Sequence, residues 1–579
     1  MTESLRKYSF IFVISLCAVA ILGGCQTQEQ GDMPSMLETA EGVKAESFFP
    51  EDTVMAMKFG TDSSDQKENL DRLKTLFPQD GFNFVMEELA RDFNADFEGS
   101  GVTFEDDLLP ALGDESEVFL GFFGNFSAEE EPNILVVLSL AQPEKFVEWM
   151  STEVENGQGS MQPYKDYEIY SGPESDSYIV HYKDVLVVGD SLENLTAALD
   201  RADAGAISLL SNAGYQRGLE TVGDGVAFFY IDPSFSADVL KSDTAAMEEM
   251  GDMENLIKVL EAFDGEMFTF VAEPKGLRIK GTVYGDPEKW KELEKIGNFD
   301  VMQSYLYKQV PGDGIVMYSE GSGLKKSFNV LGDFYGSIEG YQEGMNQLKA
   351  ALVSQGLDLE EDVLSFMDKG YAFALYDQGG IIPGLGIFID ASSNRDGALK
   401  TMGVIAQNIE VGLQSLPPEA EGVIVFEKNE DGSQYMLAVD FSALPEEEAV
   451  GIPPQIAGEN IEFHFGVNDD DLAYFALYSG FGEEWGTVAD NEAFTAALDM
   501  IPGYDRSVGY FDIEGIMGYV DRVMRFAMVM EGGSEDDVDA MTEYQMVREY
   551  LAPMKSLVMG GAKAGDSSVE LEGFVTIGE

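Results

Sequence analysis

Cysteine is nearly missing from this 579-residue sequence: Cys17 and Cys25 are the two, both at the extreme N-terminus. A chain processed after Gly24 therefore has no thiol pair to cross-link, no thiolate nucleophile and no cysteine set to hold a metal. Histidine is equally sparse. His181 and His464 each sit among apolar or aromatic neighbours, in IVHY and EFHF, and neither a His-Glu-x-x-His nor a Gly-x-Ser-x-Gly string accompanies them. They read as sheet histidines, not as catalytic bases or zinc ligands. Basic charge is the third shortage, with 35 Lys and Arg against 106 Asp and Glu and a net charge of −71. Duplex DNA carries a negative charge every ~1.7 Å, so it would be repelled, as would anionic lipid headgroups.

What is present is apolar material. At 45% hydrophobic and 11% aromatic residues, the chain has far more than a disordered acidic tail can carry. It must fold, and at about 100–200 residues per domain it makes two to four domains.

The first 25 residues read as an address. Arg6 and Lys7 precede an uncharged apolar run from Tyr8 to Leu22, which at 15 residues is short of a span and fits a secretory signal. Leu22-Gly23-Gly24-Cys25 follows. This resembles the lipobox of bacterial lipoproteins, which implies a signal peptide over 1–24 and lipidation of Cys25. Gln26 after the cysteine implies, by the same resemblance, the outer membrane in a bacterium that has two. Removing Glu3, Arg6 and Lys7 makes the mature chain slightly more acidic still, so a lipid and not charge must hold it to the membrane. Residues 25–46 then form a polar tether without periodicity, about 25 Å in r.m.s. reach.

The remainder shows self-similarity. Phe49-Pro50-Glu51-Asp52-Thr53 and Val310-Pro311-Gly312-Asp313-Gly314 both lead into an apolar strand. Phe104–Leu109 is echoed by Leu359–Leu364, each followed by a β-rich stretch. Asn212, Tyr215, Leu219 and Val222 are matched in spacing by Asn491, Phe494, Leu498 and Ile501. That spacing predicts an N-capped amphipathic helix in both places. The expected architecture is α+β: two similar tandem units, 47–300 and 301–579, each an antiparallel sheet packed with helices. In the first unit strands are expected at 53–60, 117–124, 133–140, 167–171, 178–181, 185–188, 226–232, 268–272 and 277–284. Helices are expected near 67–76, 82–92, 143–150, 192–202, 215–222, 246–263 and 287–295.

The opening Phe49–Thr53 and the Val185–Leu195 segment, VLVVGDSLENL, resemble an uncharacterised bacterial envelope family known only as a domain of unknown function. The second unit departs from it, with Gly314 in place of the Ser or Thr. The resemblance brings no catalytic residue and no cofactor.

Chemistry-bearing patterns are few. Ser322-x-x-Lys325 lacks a Lys-Thr-Gly partner, and Gly321-Ser322-Gly323 lacks the remainder of a phosphate loop. Asp92–Asp96 begins like a calcium loop, but Phe97 stands where glycine is required and Thr103 where the bidentate Glu belongs. The acidic runs Asp469–Asp471 and Glu535–Asp537 read as solvated turns; divalent cations are expected to bind the acidic surface at most weakly. Methionine stands out, with 8 of its 27 copies in residues 517–559. Met517, Met524 and Met528 share one helical face, which reads first as core packing and second as an adaptable apolar groove.

The sequence thus points to an exported, lipid-anchored envelope protein with a non-enzymatic binding or structural role. A carrier of lipid or peptide in a Met-lined cleft is the second reading, and a carboxylate-dependent hydrolase the third. Labelled palmitate should enter the wild-type chain and not a Cys25→Ala variant. Self-repulsion among the acids should also be relieved by salt, so the melting temperature should rise across roughly 0.05–2 M NaCl, over which the Debye length shrinks several-fold. A flat profile would remove that reading of the charge.

Overall fold

Two-residue Lys-Asp turns show how this sequence makes antiparallel pairs. Lys165 and Lys183 adopt φ of 52° and 55°, the backbone twist that joins neighbouring strands tightly. The computed structural model describes residues 44–60, 63–77, 118–124, 132–139, 143–157, 159–171, 178–242, 254–296, 303–335, 340–416, 422–443, 460–477, 481, 486–531, 544–545, 547–549, 551–565 and 567–578. Helices and one 20-stranded antiparallel sheet make it an α+β protein.

The first ten strands are β1 (Met55–Phe59), β2 (Val118–Phe123), β3 (Asn133–Ser139), β4 (Ser160–Tyr164), β5 (Tyr167–Ser171), β6 (Tyr178–Tyr182), β7 (Val185–Gly189), β8 (Ala227–Ile231), β9 (Phe263–Glu273) and β10 (Gly276–Gly285). The second ten are β11 (Ile315–Ser322), β12 (Gly370–Tyr376), β13 (Gly384–Asp390), β14 (Ile424–Lys428), β15 (Gln434–Asp440), β16 (Asn460–Val467), β17 (Leu472–Leu477), β18 (Arg506–Asp512), β19 (Met554–Gly565) and β20 (Ser568–Ile577). Hydrogen-bonded neighbours run β4-β5-β6-β7-β3-β2-β1-β8-β9-β10 across one half. The other half runs β14-β15-β16-β17-β13-β12-β11-β18-β19-β20, the same order strand for strand. β10 pairs with β20 and closes the gap between them. That pairing is symmetric about Lys280 and Glu572: Gly276 opposes Thr576 at one end, and Tyr284 opposes Ser568 at the other.

Small local devices recur in both halves. The helix Ala213–Val222 is capped by Asn212, whose side chain accepts from the Tyr215 amide at 2.8 Å. The helix Glu492–Leu498 is capped by Asn491 accepting from the Phe494 amide at 3.0 Å. Such caps contribute about 1 kcal/mol each. A 3₁₀ turn with a reciprocal capping box precedes each helix, built by Ser208 and Ser211 or by Thr487 and Asp490. Leu209 N–H then donates to the Phe49 carbonyl at 3.0 Å, and Val488 N–H to the Val310 carbonyl at 2.9 Å. Where Thr53 closes the first turn by donating to the Pro50 carbonyl, Gly314 takes φ of +68°, a conformation that favours glycine.

Each half buries its own apolar cluster. Phe119, Val137, Val187, Leu195, Tyr215 and Tyr230 belong to the first, and Tyr318, Phe388, Tyr474, Phe494, Tyr510 and Val558 to the second. Each such side chain contributes ~1.5–3 kcal/mol on burial. Two expectations need correction. Of the helix expected over 246–263, residues 246–253 lie outside the described residues, Glu254–Leu260 is helical, and β9 begins at Phe263. β9 is held from both sides by β8 and β10, and this pairing draws Phe263 into the sheet. The strand β4 is not among the expected strands; it stands at the sheet edge, paired among the described residues to β5 alone, where the missing N–H of Pro163 is tolerated. The helix expected at 82–92 lies outside the described residues.

One buried group runs against the apolar core. Glu266 on β9 stands between Ile231 and Val283, is 1% exposed, and its Oε2 has no hydrogen-bond partner among the described residues. Burial alone pushes its carboxyl up to about 8. The folded chain therefore holds a proton that the unfolded chain releases near pH 4.5. Stability contributed by this group is full below that pH, falls by up to about 1.4 kcal/mol per unit as pH rises, and levels off above pH 8. Glu266→Gln should flatten the decline of melting temperature between pH 5 and pH 8, and an unchanged slope would contradict this assignment.

Candidate apolar binding site

The helix Ile513–Glu531 carries the methionine stripe and lies across β11, β18 and β19. Asp512 starts it by accepting from the Gly515 amide at 3.0 Å. Tyr519 donates to the Ile381 carbonyl at 3.0 Å, and Arg522 pairs with Asp377, pinning the helix to the turn between β12 and β13. This ion pair holds the Asp377 carboxyl below its usual range despite the opposing effect of burial.

Met517 and Met524 are half-buried, not core residues, and the side chain of Met528 lies outside the described residues. At 100° per residue, Met517 and Met524 stand on the far side of the helix from Tyr519 and Arg522. The Tyr544 hydroxyl reaches this helix at Asp521, at 2.8 Å, and at the Met517 carbonyl, at 3.2 Å.

The sheet itself offers a larger apolar surface. β13 has a neighbour on each side, β12 and β17, yet Leu385 and Ile387 are 38% and 45% exposed. Register places Leu375, Leu385, Leu477 and Phe463 in one row, and Phe373, Ile387, Phe475 and Phe465 in the next. Phe463, Phe465 and Phe475 stack with centroids 5.6–6.5 Å apart. At one end of the row Phe465 is fully buried with Ala398, Met402 and Ala406 of the helix Arg395–Leu413. The surface thus grades from a covered aromatic stack to an open aliphatic floor, and nothing in the bare sequence distinguishes β13 from the other apolar strands. Within β13, Leu385 and Ile387 lie on one face and Phe388 on the other.

The other sequence candidates separate into structural roles. His464 contacts Glu462 at 3.0 Å and lies against the Phe481 ring. Lys325 reaches toward Asp368 at 3.8 Å. Among the described residues, Ser392 receives a hydrogen bond from Lys369 Nζ at 2.6 Å and donates to Asp390. Asp390 also accepts from Tyr305. Asp390 also accepts from the Ser392 amide at 2.9 Å, so this cluster caps the turn before the helix Arg395–Leu413. Asp469–Asp471 is a β16–β17 turn, organised by Asn468 and by Arg395 paired to Asp471 at 2.7 Å. The Asp92–Asp96 and Glu535–Asp537 runs lie outside the described residues. Among the described residues no group of three His, Cys, Asp or Glu is placed to hold a metal ion, and no helix is long and apolar enough to cross a membrane.

The segments Phe49–Thr53 and Val185–Leu195 are joints. In Val185–Leu195, Asp190 accepts from the Ile134 amide at 2.6 Å and from Asn194 at 2.8 Å, while Asn194 also donates to Asn133 at 2.7 Å. Ser191 caps the helix Leu192–Ala204. In Phe49–Thr53, the Phe49 ring packs against Phe119 at 4.8 Å, and Asn212 donates to the Glu51 carbonyl at 2.9 Å.

No curated protein matches the chain. Among solved structures, two crystal forms of the protein TP0453 align at 8% identity, with TM-scores of 0.23, covering 46% of this chain and 89–90% of theirs. A likeness that weak carries no argument about this chain. The family model is different, because it matches one continuous span, residues 10–529, across both halves of the sheet. The chain belongs to the family of proteins of unknown function designated DUF3352.

Proposed function

We propose that this is an exported, acidic envelope protein, anchored through a lipid on Cys25, that works by binding an apolar partner and not by catalysis. The two halves of the sheet are read as two copies of one unit, of which the second carries the binding surface. The observation behind this reading is the exposure of Leu385 and Ile387 in the interior of the sheet, 38% and 45%. Open aliphatic area beside half-buried Phe373, Leu375, Phe475 and Leu477 is costly in water. A lipid chain or an apolar peptide laid across β12, β13 and β17 would cover it. Met517 and Met524, polarizable and flexible, would adapt a second margin of the same half to different partners.

Titration of the mature chain with an apolar fluorescent probe such as 1-anilinonaphthalene-8-sulfonate tests the reading. Ile387→Glu with Leu385→Glu should weaken binding at least several-fold while leaving the melting temperature close to wild type. Equal binding by wild type and the double variant would move the site elsewhere. Parallel replacement of Met517 and Met524 by Gln would show whether that margin contributes.

A further inference from the structure

The two ends of the long sheet are not protected alike. β4 ends it in the first half, and its turn closes on the pair Tyr164 and Tyr167, which directs the backbone groups of Met161 and Pro163 outward. Pro163 brings no N–H, so the row of donors that an added strand needs is broken there. β14 ends the second half and contains no proline. Among the described residues its one strand neighbour is β15. Asp440 N–H donates to the Val423 carbonyl at 2.8 Å, and Asn429 N–H to the Gln434 carbonyl at 3.0 Å. This phase gives the odd-numbered residues to β15 and turns the N–H and C=O of Ile424, Phe426 and Lys428 away from it. On that side no backbone group among the described residues bonds to them.

Natural sheets blunt an open edge with lysine, proline or a bulge. The lysine of this strand is engaged within its own half, since Lys428 donates to Glu410 of the helix Arg395–Leu413 at 3.2 Å. Side chains alternate along a strand. Phe426 lies on the side of that helix, its ring 6.1 Å from Tyr435 and 6.5 Å from Phe465 between centroids, and Ile424 shares that side. Val425 and exposed Glu427 take the other side, and Glu430 and Asp431 follow in the exposed turn to β15. The edge thus combines free main-chain donors and acceptors with an apolar side and an acidic side. Pairing with the same edge of a second copy would bring together two chains of net −71. An extended segment with basic residues at alternate positions meets no such repulsion, and its charges complement Glu427, Glu430 and Asp431.

We propose that β14 is a docking edge for an extended basic segment of a partner protein, which lies beside Ile424–Lys428 as a further strand of the sheet. Its main chain bonds the outward groups of Ile424, Phe426 and Lys428. Its basic side chains face Glu427, and its alternate apolar ones continue the Phe426 side. The edge is separate from the open surface of β13, because β17, β16 and β15 lie between them.

The test uses residues 26–579, which retain every described element, and a fluorescein-labelled heptapeptide of alternating Lys and Val. Anisotropy at 0.15 M NaCl, where the Debye length is about 8 Å, should show saturable binding. The same peptide N-methylated throughout keeps its charge, loses its main-chain donors, and should bind at least several-fold more weakly. Ile424→Pro with Lys428→Pro removes two outward N–H groups and none of the bonds to β15. It should weaken binding of the unmethylated peptide to a similar extent, with the melting temperature close to wild type. In the wild-type chain, the peptide should slow amide exchange over residues 422–430. Equal affinity for the two peptides would overturn the proposal, because it would assign binding to the acidic surface at large. Unchanged binding by a folded double variant would overturn it too. So would slowing over 422–430 with protein concentration alone, which would give the edge to a second copy. If the double variant melts early, the methylated peptide and the exchange pattern decide the matter without it.

Discussion

The pairing of β10 with β20 is the constraint on which the remaining architecture depends. Without it the chain would present two ten-stranded sheets, each ending in a long unpaired edge, and exposed edges invite association. With it, one sheet runs from β4 to β14. Arg278 reinforces the seam from β10. Its guanidinium meets Glu273 of the same hairpin, Glu572 of β20 and the Met500 carbonyl, at 2.8 Å, and lies 5.4 Å from the centre of the Phe574 ring. These partners come from both halves, and the arginine is mostly shielded from water, so its hydrogen bonds carry more weight than a surface pair would. Burial raises the Glu572 carboxyl, and the Arg278 charge opposes that rise.

The halves share a strand order but not the chemistry of their cores. In the first, Glu46 is buried, accepts from Tyr215 at 3.3 Å, and is partly offset by the charge of buried Lys58. In the second, Glu320 of β11 is buried and accepts from the amides of Tyr305 and Leu306 and from the Tyr318 hydroxyl. Aromatic contact of Tyr307 with Phe494 takes the place of the Glu46–Tyr215 bond. Each half thus fixes the short 3₁₀ segment before its first strand with a buried carboxylate, reached from opposite directions. Polar groups of this kind are tolerated only where the partners are in place.

Much of the fold was legible because its signals are local. Asn212 and Asn491 announce helix starts, the Lys183-Asp184 turn announces a hairpin, and alternation in Val118–Phe123 or Gly370–Tyr376 marks half-buried strands. β4 was hidden because edge position, which makes Pro163 harmless, is a tertiary property. The order of strands was hidden for the same reason: no local pattern says that β7 returns beside β3 or that β10 finds β20. The candidate surface was less legible still. Leu385 and Ile387 have the sequence pattern of any buried strand, and only the placement of neighbouring helices leaves them open. Conversely, the methionine face that drew attention in the sequence is half-buried on the flank of its helix.

One continuous sheet carries two distinct half-cores, and the aliphatic row of β13 lies open on it. The measurement that bears most directly on this account is amide hydrogen exchange of the mature chain, resolved to peptides across β10 and β20. A continuous sheet predicts that Leu277–Val283 and Val569–Val575 are among the slowest-exchanging amides of the chain and open together. Fast exchange in both strands, while the two half-cores remain protected, would show two separate sheets and contradict the account.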